Sequence, residues 1–175
     1  MFLTPLRKRK RSPSPRYSLW SDSDVPDVIV VDDSLSVVVG TRFQSIRDGY
    51  VIGVRFYKSP ENTGIHIGTL WNDSGQNLGT VEFTNETDSG WQEALFASPI
   101  AISANTDYII SYLTNAGYYS ANSEYFNGYT HVNGPLLAPA SAFPRNNGIY
   151  LYSDNNAYPT DTFGNTFYWV DVIFE

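Results

Sequence analysis

Cysteine is absent from this 175-residue chain, and histidine occurs only twice, at His66 and His131. The lack of cysteine excludes a disulfide framework and a thiolate metal site. The two histidines do not have the close spacing of a zinc motif, so zinc is not expected. The G-x-S-x-G elbow that carries a serine nucleophile is also missing. We therefore expect a protein that is not an enzyme and that needs no cofactor.

Long apolar segments are missing as well. No run of about 18 apolar residues is present, so the sequence predicts no membrane span. The opening residues MFLTPL are few and precede the basic residues, whereas a secretory signal places cations first and a longer apolar segment after them. We therefore expect no signal peptide at this N-terminus.

Basic side chains are scarce beyond residue 16. Six of the 11 Lys and Arg residues lie in the segment LRKRKRSPSPR, residues 6–16. Residues 17–175 hold five basic and all 18 acidic side chains, a formal charge of −13. A domain of that charge repels phosphate groups, so nucleic acid is an unlikely partner for it. The chain is predicted to divide into a basic arm, residues 1–16, and an acidic domain, residues 17–175.

The basic arm combines an apolar start, five consecutive basic residues and alternating Ser-Pro. Charge repulsion and proline predict an extended conformation. Such a run can serve as a nuclear localisation signal, a nucleic-acid tether, a membrane-surface patch or a solvated tail. We favour docking on a protein partner within a larger assembly. The residues predicted to anchor the arm are Arg7, Lys8, Arg9, Lys10 and Arg11.

Short β-rich segments follow Tyr17, separated by Gly, Asn, Asp and Pro. Residues 50–58 (YVIGVRFYK) alternate in the period of two-faced strands, and ENTG and NDSG are turn sequences. No segment shows a helical period with caps. The pattern predicts an all-β fold: an antiparallel β-sandwich, immunoglobulin-like or jelly-roll-like, with an extended basic N-terminal arm. The predicted strands are 36–43, 50–58, 65–71, 78–83, 91–97, 107–114, 148–152 and 167–174.

Aromatic residues give the main functional lead. Residues 115–166 are rich in Tyr, Asn, Gly and Pro, and the sequence predicts only one strand among them. An exposed aromatic ring can stack on the apolar face of a sugar while Asn and Asp bind its hydroxyls. The same mixture suits a protein contact, and Tyr150 or Tyr152, in the strand, is expected to be buried. The loop residues predicted to bind a glycan or a partner are Tyr118, Tyr119, Tyr125 and Tyr158.

Two other segments carry side chains that could bind a metal ion or form a functional site. SDSDVPD offers Asp22, Asp24 and Asp27 as weak calcium candidates, and Asp32 and Asp33 follow. Turn capping explains these aspartates equally well, and EF-hand spacing is absent. In RFYKSPENTGIHIGTLW, residues 55–71, we favour packing over a functional role: a hairpin would make the Arg and the His cross-strand neighbours.

Several longer motifs resemble a known family. They are GVRFYK…NTGIHIGTLW, SGWQ and ANTDY within residues 53–112, YWVDVIF at 168–174, and SLW followed by Asp and Pro at 18–26. They resemble a bacterial family of domains of unknown function, found in secreted multidomain surface proteins and beside glycoside hydrolases. The resemblance covers residues 18–175 and implies an immunoglobulin-like or jelly-roll-like sandwich with no assigned catalysis. The arm lies outside it.

These observations favour a non-catalytic display module. The arm would fix it to a larger assembly, such as a virion accessory, decoration or fibre-type protein, and the sandwich would face outward for attachment, with glycans as one class of ligand. We expect it at a virion or another extracellular surface assembly. One alternative is a secreted carbohydrate-binding accessory domain. Another is a capsid-type protein whose arm contacts nucleic acid.

Overall fold

A computed structural model describes residues 14–175, and every regular element in that range is a β-strand. This part of the chain contains no helix long and apolar enough to cross a membrane. All eight predicted strands are present with shifted ends, and three short ones occur where the sequence shows no pattern. The strands are β1 (Val37–Ser45), β2 (Gly49–Lys58), β3 (His66–Asn72), β4 (Asn77–Glu82), β5 (Gly90–Ile102), β6 (Tyr108–Thr114), β7 (His131–Asn133), β8 (Leu136–Ala138), β9 (Ile149–Tyr152), β10 (Asp161–Thr162) and β11 (Val170–Phe174).

The strands form two antiparallel sheets that pack face to face, which confirms the predicted β-sandwich. The large sheet has the order β10-β9-β1-β6-β3-β4, and β8 pairs with the end of β1 and with β7. The small sheet has the order β11-β2-β5. Strand β11 packs against β1 and β6, β2 packs against β3 and β6, and β4 packs against β5. The apolar core lies between these sheets.

The core is filled by aromatic and β-branched side chains from the facing rows of both sheets. Phe56 of the small sheet stacks on Tyr112 of the large sheet, with ring centroids 4.1 Å apart. Thr41 is fully buried, and its hydroxyl donates a 2.8 Å hydrogen bond to the Val170 carbonyl across the two sheets. Burial of these rings supplies most of the folding free energy, and the hydroxyl keeps its polar atom satisfied.

The expected hairpin at residues 55–71 is wrong. Strands β2 and β3 belong to different sheets, so Arg55 and His66 are not cross-strand neighbours. Arg55 pairs in register with Asp171 and Glu93, whereas His66 pairs with Thr114. The residues between the two strands include ENTG, and Gly64 has the positive φ, +93°, that this turn sequence predicts. These residues carry the chain from one sheet to the other, a path that local turn chemistry does not encode.

The outer face of the small sheet is covered by the segment that follows the predicted arm. Tyr17 forms an antiparallel bridge with Phe174, so this segment adds to the free edge of β11. The backbone N–H groups of Leu19 and Trp20 then donate to the two oxygens of Asp171, at 2.9 and 3.0 Å. The predicted anchoring residues, 7–11, lie outside the described residues.

The outer face of the large sheet is also covered in part, by residues 153–160. Trp71, Ile109 and Ile149 form a second small apolar cluster there, and Tyr158 packs over it. The indole N–H of Trp71 donates a 2.8 Å hydrogen bond to the Ser111 hydroxyl. The side chain of Tyr158 is therefore half-buried because it packs on this apolar cluster.

The two sheets differ in width, and this difference creates the candidate site. Beyond β1 the large sheet continues into β9 and β10, whereas the small sheet ends at β11, which packs against β1 and β6. The inner face of β9 and β10 is thus left without a partner strand. Loop residues that include Tyr119, Phe163 and Tyr168 approach this face and leave a cleft.

Candidate functional site

An aromatic cleft of about 310 Å³ lies under the overhanging edge of the large sheet, and all five of its lining residues are aromatic: Tyr119, Tyr150, Tyr152, Phe163 and Tyr168. We refer to these five residues as the tyrosine cleft. Two of them come from β9, and the other three come from loops. A cavity of this size with aromatic walls has the usual character of a small-ligand site.

The sheet register explains why two tyrosines of β9 face the cleft. Tyr150 and Tyr152 pair with Val39 and Val37, which are core residues of β1. Directly opposed residues of an antiparallel pair share a face, so both tyrosines point to the inner side of the sheet. Tyr150 packs against the core, whereas Tyr152 is 49% exposed. Of the two strand tyrosines, one of which is expected to be buried, Tyr150 is the one that packs inward, and Tyr152 stays exposed because no strand lies opposite it.

The rings of the cleft meet almost at right angles. The interplanar angle is 77° for Tyr119 and Tyr168, 67° for Tyr150 and Tyr168, and 75° for Tyr150 and Tyr152. Their centroids lie 5.5, 6.2 and 5.6 Å apart, within the normal range for edge-to-face pairs. Phe163, which is 72% exposed, adds an outer wall. The cleft is therefore a walled box and not a flat platform.

Asp33 is hydrogen-bonded to two residues of the tyrosine cleft. Its Oδ2 accepts hydrogen bonds from the hydroxyls of Tyr152, at 2.6 Å, and Tyr119, at 3.3 Å. Its Oδ1 accepts from the backbone N–H of Leu35 at 3.0 Å. Gly117, with φ +72°, packs directly on the Asp33 carbonyl, where any side chain would collide. These contacts fix the carboxylate against the two tyrosines.

The hydrogen bonds to Asp33 keep both tyrosines protonated. The hydrogen bond to the carboxylate, together with partial burial, raises the pKa of Tyr152. Burial, together with the charge of Asp33, raises the pKa of Tyr119 well above its ordinary value. The two hydroxyl protons are directed at Asp33, so the lone pairs are what these hydroxyls can offer to a ligand.

The structure does not bring the four predicted tyrosines together. Only Tyr119 lines the tyrosine cleft. The backbone N–H of Tyr118, which has φ +50°, donates to the Asp33 carbonyl, and the Tyr118 carbonyl accepts from the Ser59 hydroxyl. Tyr158 covers the cluster at Trp71. All four are half-buried.

Tyr125 belongs to a separate aromatic cluster around Trp20. The indole N–H of Trp20 donates to the Tyr125 hydroxyl at 2.9 Å, and the same hydroxyl lies 2.9 Å from Nδ1 of His131. Nε2 of His131 lies 2.7 Å from the Leu19 carbonyl, so Nε2 carries the hydrogen and Nδ1 accepts from Tyr125. Trp20 stacks between His131 and Phe167. This closed chain of hydrogen bonds holds the segment at residues 19–20 in place.

The weak calcium candidates have other partners. Asp22 accepts a hydrogen bond from Arg55, Asp24 accepts from the backbone N–H of Ser21, and Asp27 accepts from Asn122. Within residues 14–175, no three acidic or histidine side chains are placed to hold a metal ion together. Calcium is thus not supported, because these aspartates cap turns and pair with nearby donors.

Sequence reasoning missed the importance of Tyr152, Phe163, Tyr168 and Asp33 as one group. The i, i+2 spacing of Tyr150 and Tyr152 is the signal that could have found Tyr152, because residues two apart in a strand lie on one face. The sequence contained no signal that this face extends past the small sheet.

Comparison with known proteins gives one match. A family model described as "Domain of unknown function (DUF4082)" matches residues 23–170, a range that includes all five residues of the tyrosine cleft. No curated protein matches the chain.

Proposed function

The chain belongs to the DUF4082 family, a domain of unknown function. We propose that it is a non-catalytic attachment module that binds a glycan in the tyrosine cleft. The observation that carries this proposal is a cleft of about 310 Å³ walled only by aromatic side chains. Sugar rings offer apolar C–H faces to such walls, and their hydroxyls can donate to the tyrosine oxygens.

The exposed rings at the mouth of the cleft support a surface-binding role. Tyr152 and Phe163 are 49% and 72% exposed, although a large apolar ring usually gains free energy by burial. The resemblance to domains found beside glycoside hydrolases agrees with a carbohydrate ligand.

Display on a larger assembly is the second part of the proposal, and it rests on the basic arm. The structure describes where the arm meets the domain. Nε of Arg16 lies 3.8 Å from Oε1 of Glu175, and Tyr17 pairs with Phe174. The arm thus joins the domain beside its C-terminal strand. We propose that a protein partner, of virion type or at another surface assembly, binds the arm and leaves the tyrosine cleft accessible.

A glycan array probed with the full chain tests the ligand proposal. The variants Tyr152→Ala and Phe163→Ala each remove one exposed wall of the cleft. Exposed aromatic anchors contribute about 2 kcal/mol each, so each variant should weaken binding roughly 30-fold.

Two matched controls lie elsewhere on the domain. Tyr50 is 52% exposed on β2, and Phe143 is 92% exposed in a loop that does not line the tyrosine cleft. Tyr50→Ala and Phe143→Ala should leave glycan binding unchanged. Equal losses in all four variants, or an array with no bound glycan, would overturn the proposal.

A further inference from the structure

We propose that the tyrosine cleft selects glycans that carry a protonated amine, such as oligomers of unacetylated glucosamine. The inference rests on the proposed function, because it names the class of glycan that the same site takes. Three properties of the cleft carry it: its hydrogen-bond polarity, its charge and the arrangement of its rings.

The polarity of the cleft favours donors over acceptors. The hydroxyl protons of Tyr119 and Tyr152 are committed to Asp33, so these oxygens face a ligand as acceptors. An ammonium group brings three N–H donors and no acceptor, which matches such a lining. An acetylated amine instead brings a carbonyl oxygen, and a buried acceptor without a donor is costly.

The carboxylate that accepts from the cleft tyrosines is not offset by a basic side chain within residues 14–175. Six basic side chains lie within residues 14–175, and none of them lines the tyrosine cleft. Five of them form ion pairs with acids other than Asp33, and Arg47 stacks over Tyr17 and Phe174. Among the described residues, Asp33 is therefore a carboxylate bound to hydroxyl and N–H groups but to no cation.

A second carboxylate lies on the same face. Asp161 of β10 is directly opposite Tyr150 of β9, and opposed residues of an antiparallel pair share a face. The Asp161 side chain is exposed, and its contact within the domain is a 3.2 Å hydrogen bond from Thr160. Asp161 is thus the register partner of one cleft tyrosine and Asp33 is hydrogen-bonded to two others, so a cation bound in the cleft would be attracted to both carboxylates.

The rings strengthen this preference. A cation is attracted to the face of a tyrosine ring, and four of the five rings that line the cleft are tyrosines. Donation of the Tyr152 hydroxyl to a carboxylate pushes electron density toward its ring, which makes that face more attractive to a cation. The apolar face of the sugar can stack on an adjacent wall while the amine lies near the carboxylates.

Three soluble tetrasaccharides with the same β-1,4 backbone test the inference by calorimetry with the full chain. They differ only at carbon 2: glucosamine has an ammonium, N-acetylglucosamine has an acetamide and glucose has a hydroxyl. The glucosamine tetramer should bind roughly tenfold more tightly than the other two, the sum of one exposed ion pair and one cation–π contact. The preference should weaken at high salt and disappear as the pH rises through the pKa of the amine.

Charge-neutralising variants locate the effect. Asp33→Asn and Asp161→Asn should each reduce the preference for the amine with little change for the glucose tetramer. Glu82→Gln removes an exposed charge from β4, at the opposite edge of the large sheet, and should change nothing. Asp33→Asn can also disturb folding. Asp161 is exposed, so Asp161→Asn tests the charge without a change in folding stability.

The outcomes separate the inference from the proposed function. If the glucose or N-acetylglucosamine tetramer binds at the cleft as tightly as the glucosamine tetramer, the inference is overturned and glycan binding stands. If none of the three binds and a glycan array is also blank, both are overturned. A preference for the amine that survives both aspartate variants would also overturn the inference.

Discussion

The hydroxyl of Tyr152 donates a 2.6 Å hydrogen bond to Oδ2 of Asp33, a residue 119 positions earlier in the chain. Tyr119 donates to the same oxygen. One carboxylate oxygen therefore links the segment before β1, the loop after β6 and strand β9. The tyrosine cleft is built by this link, since each of its partners is placed by a different part of the fold.

The link between Asp33 and Tyr152 predicts a specific titration. A tyrosine that donates to a carboxylate is stabilised in its protonated form, and this raises the pKa of Tyr152. Replacement Asp33→Asn removes the charge, so the pKa of Tyr152 should move down toward its ordinary value. NMR of ring-labelled tyrosine across alkaline pH measures the pKa of Tyr152 in both proteins. The signal of Tyr50 is the control, because Asp33→Asn should not change it. An unchanged Tyr152 titration would contradict the hydrogen bond.

Truncation tests where the folded domain begins. Deletion of residues 1–16 should leave the melting temperature close to that of the full chain, whereas deletion of residues 1–22 should lower it strongly. The second deletion removes Leu19 and Trp20, which are almost fully buried, and a buried aromatic contributes about 3–5 kcal/mol. Both truncated chains should lose assembly if the arm binds a partner. A large loss of stability on removal of residues 1–16 would show that the arm is part of the domain.

Asp171 predicts a pH-dependent stability. Burial, opposed by Arg55 and three backbone N–H groups, raises its pKa from 3.8 to about 6. A carboxyl whose folded pKa is raised stabilises the fold below its unfolded pKa, and this contribution disappears as the pH rises through the folded pKa. The free energy of unfolding should therefore fall between about pH 4 and pH 7, by about 3 kcal/mol at most.

The comparison of wild type with Asp171→Asn isolates that effect, because the two proteins differ only at this side chain. Urea unfolding at several pH values should show a difference between the two that shrinks or reverses as the pH rises. A difference that stays constant from pH 4 to pH 7 would mean that Asp171 does not change its protonation in this window.

Tyr125 and Tyr129 provide a matched pair for the packing assignment. Their rings are 5.7 Å apart, yet Tyr125 packs against the core and bonds Trp20 and His131, while Tyr129 is 51% exposed. Tyr125→Ala should cost about 3 kcal/mol of folding free energy, and Tyr129→Ala less than about 1 kcal/mol. Thermal or urea unfolding checks both, and equal costs would contradict the assignment of Tyr125 to a packing role.

The sequence by itself determined the class of fold and eight of the eleven strands. Alternation in segments such as residues 50–58, with turn residues between them, requires antiparallel sheets because side chains of a strand point alternately to two faces. The same alternation placed Tyr150 and Tyr152 on one face of one strand. The acidic charge of residues 17–175 was likewise a property of composition alone.

Tertiary structure decided which faces became buried and which residues met. Local pattern gives the order of two strands along the chain but does not show which sheet each strand joins. Strands β2 and β3 were expected to pair, but they lie in opposite sheets. The large sheet also extends past β11, and Tyr152 is exposed beside the core because of this extension. Local pattern cannot show such an extension. The meeting of Asp33, Tyr119 and Tyr152 depends on contacts between residues about 30 to 120 positions apart, and only the packed fold brings such residues within hydrogen-bond distance.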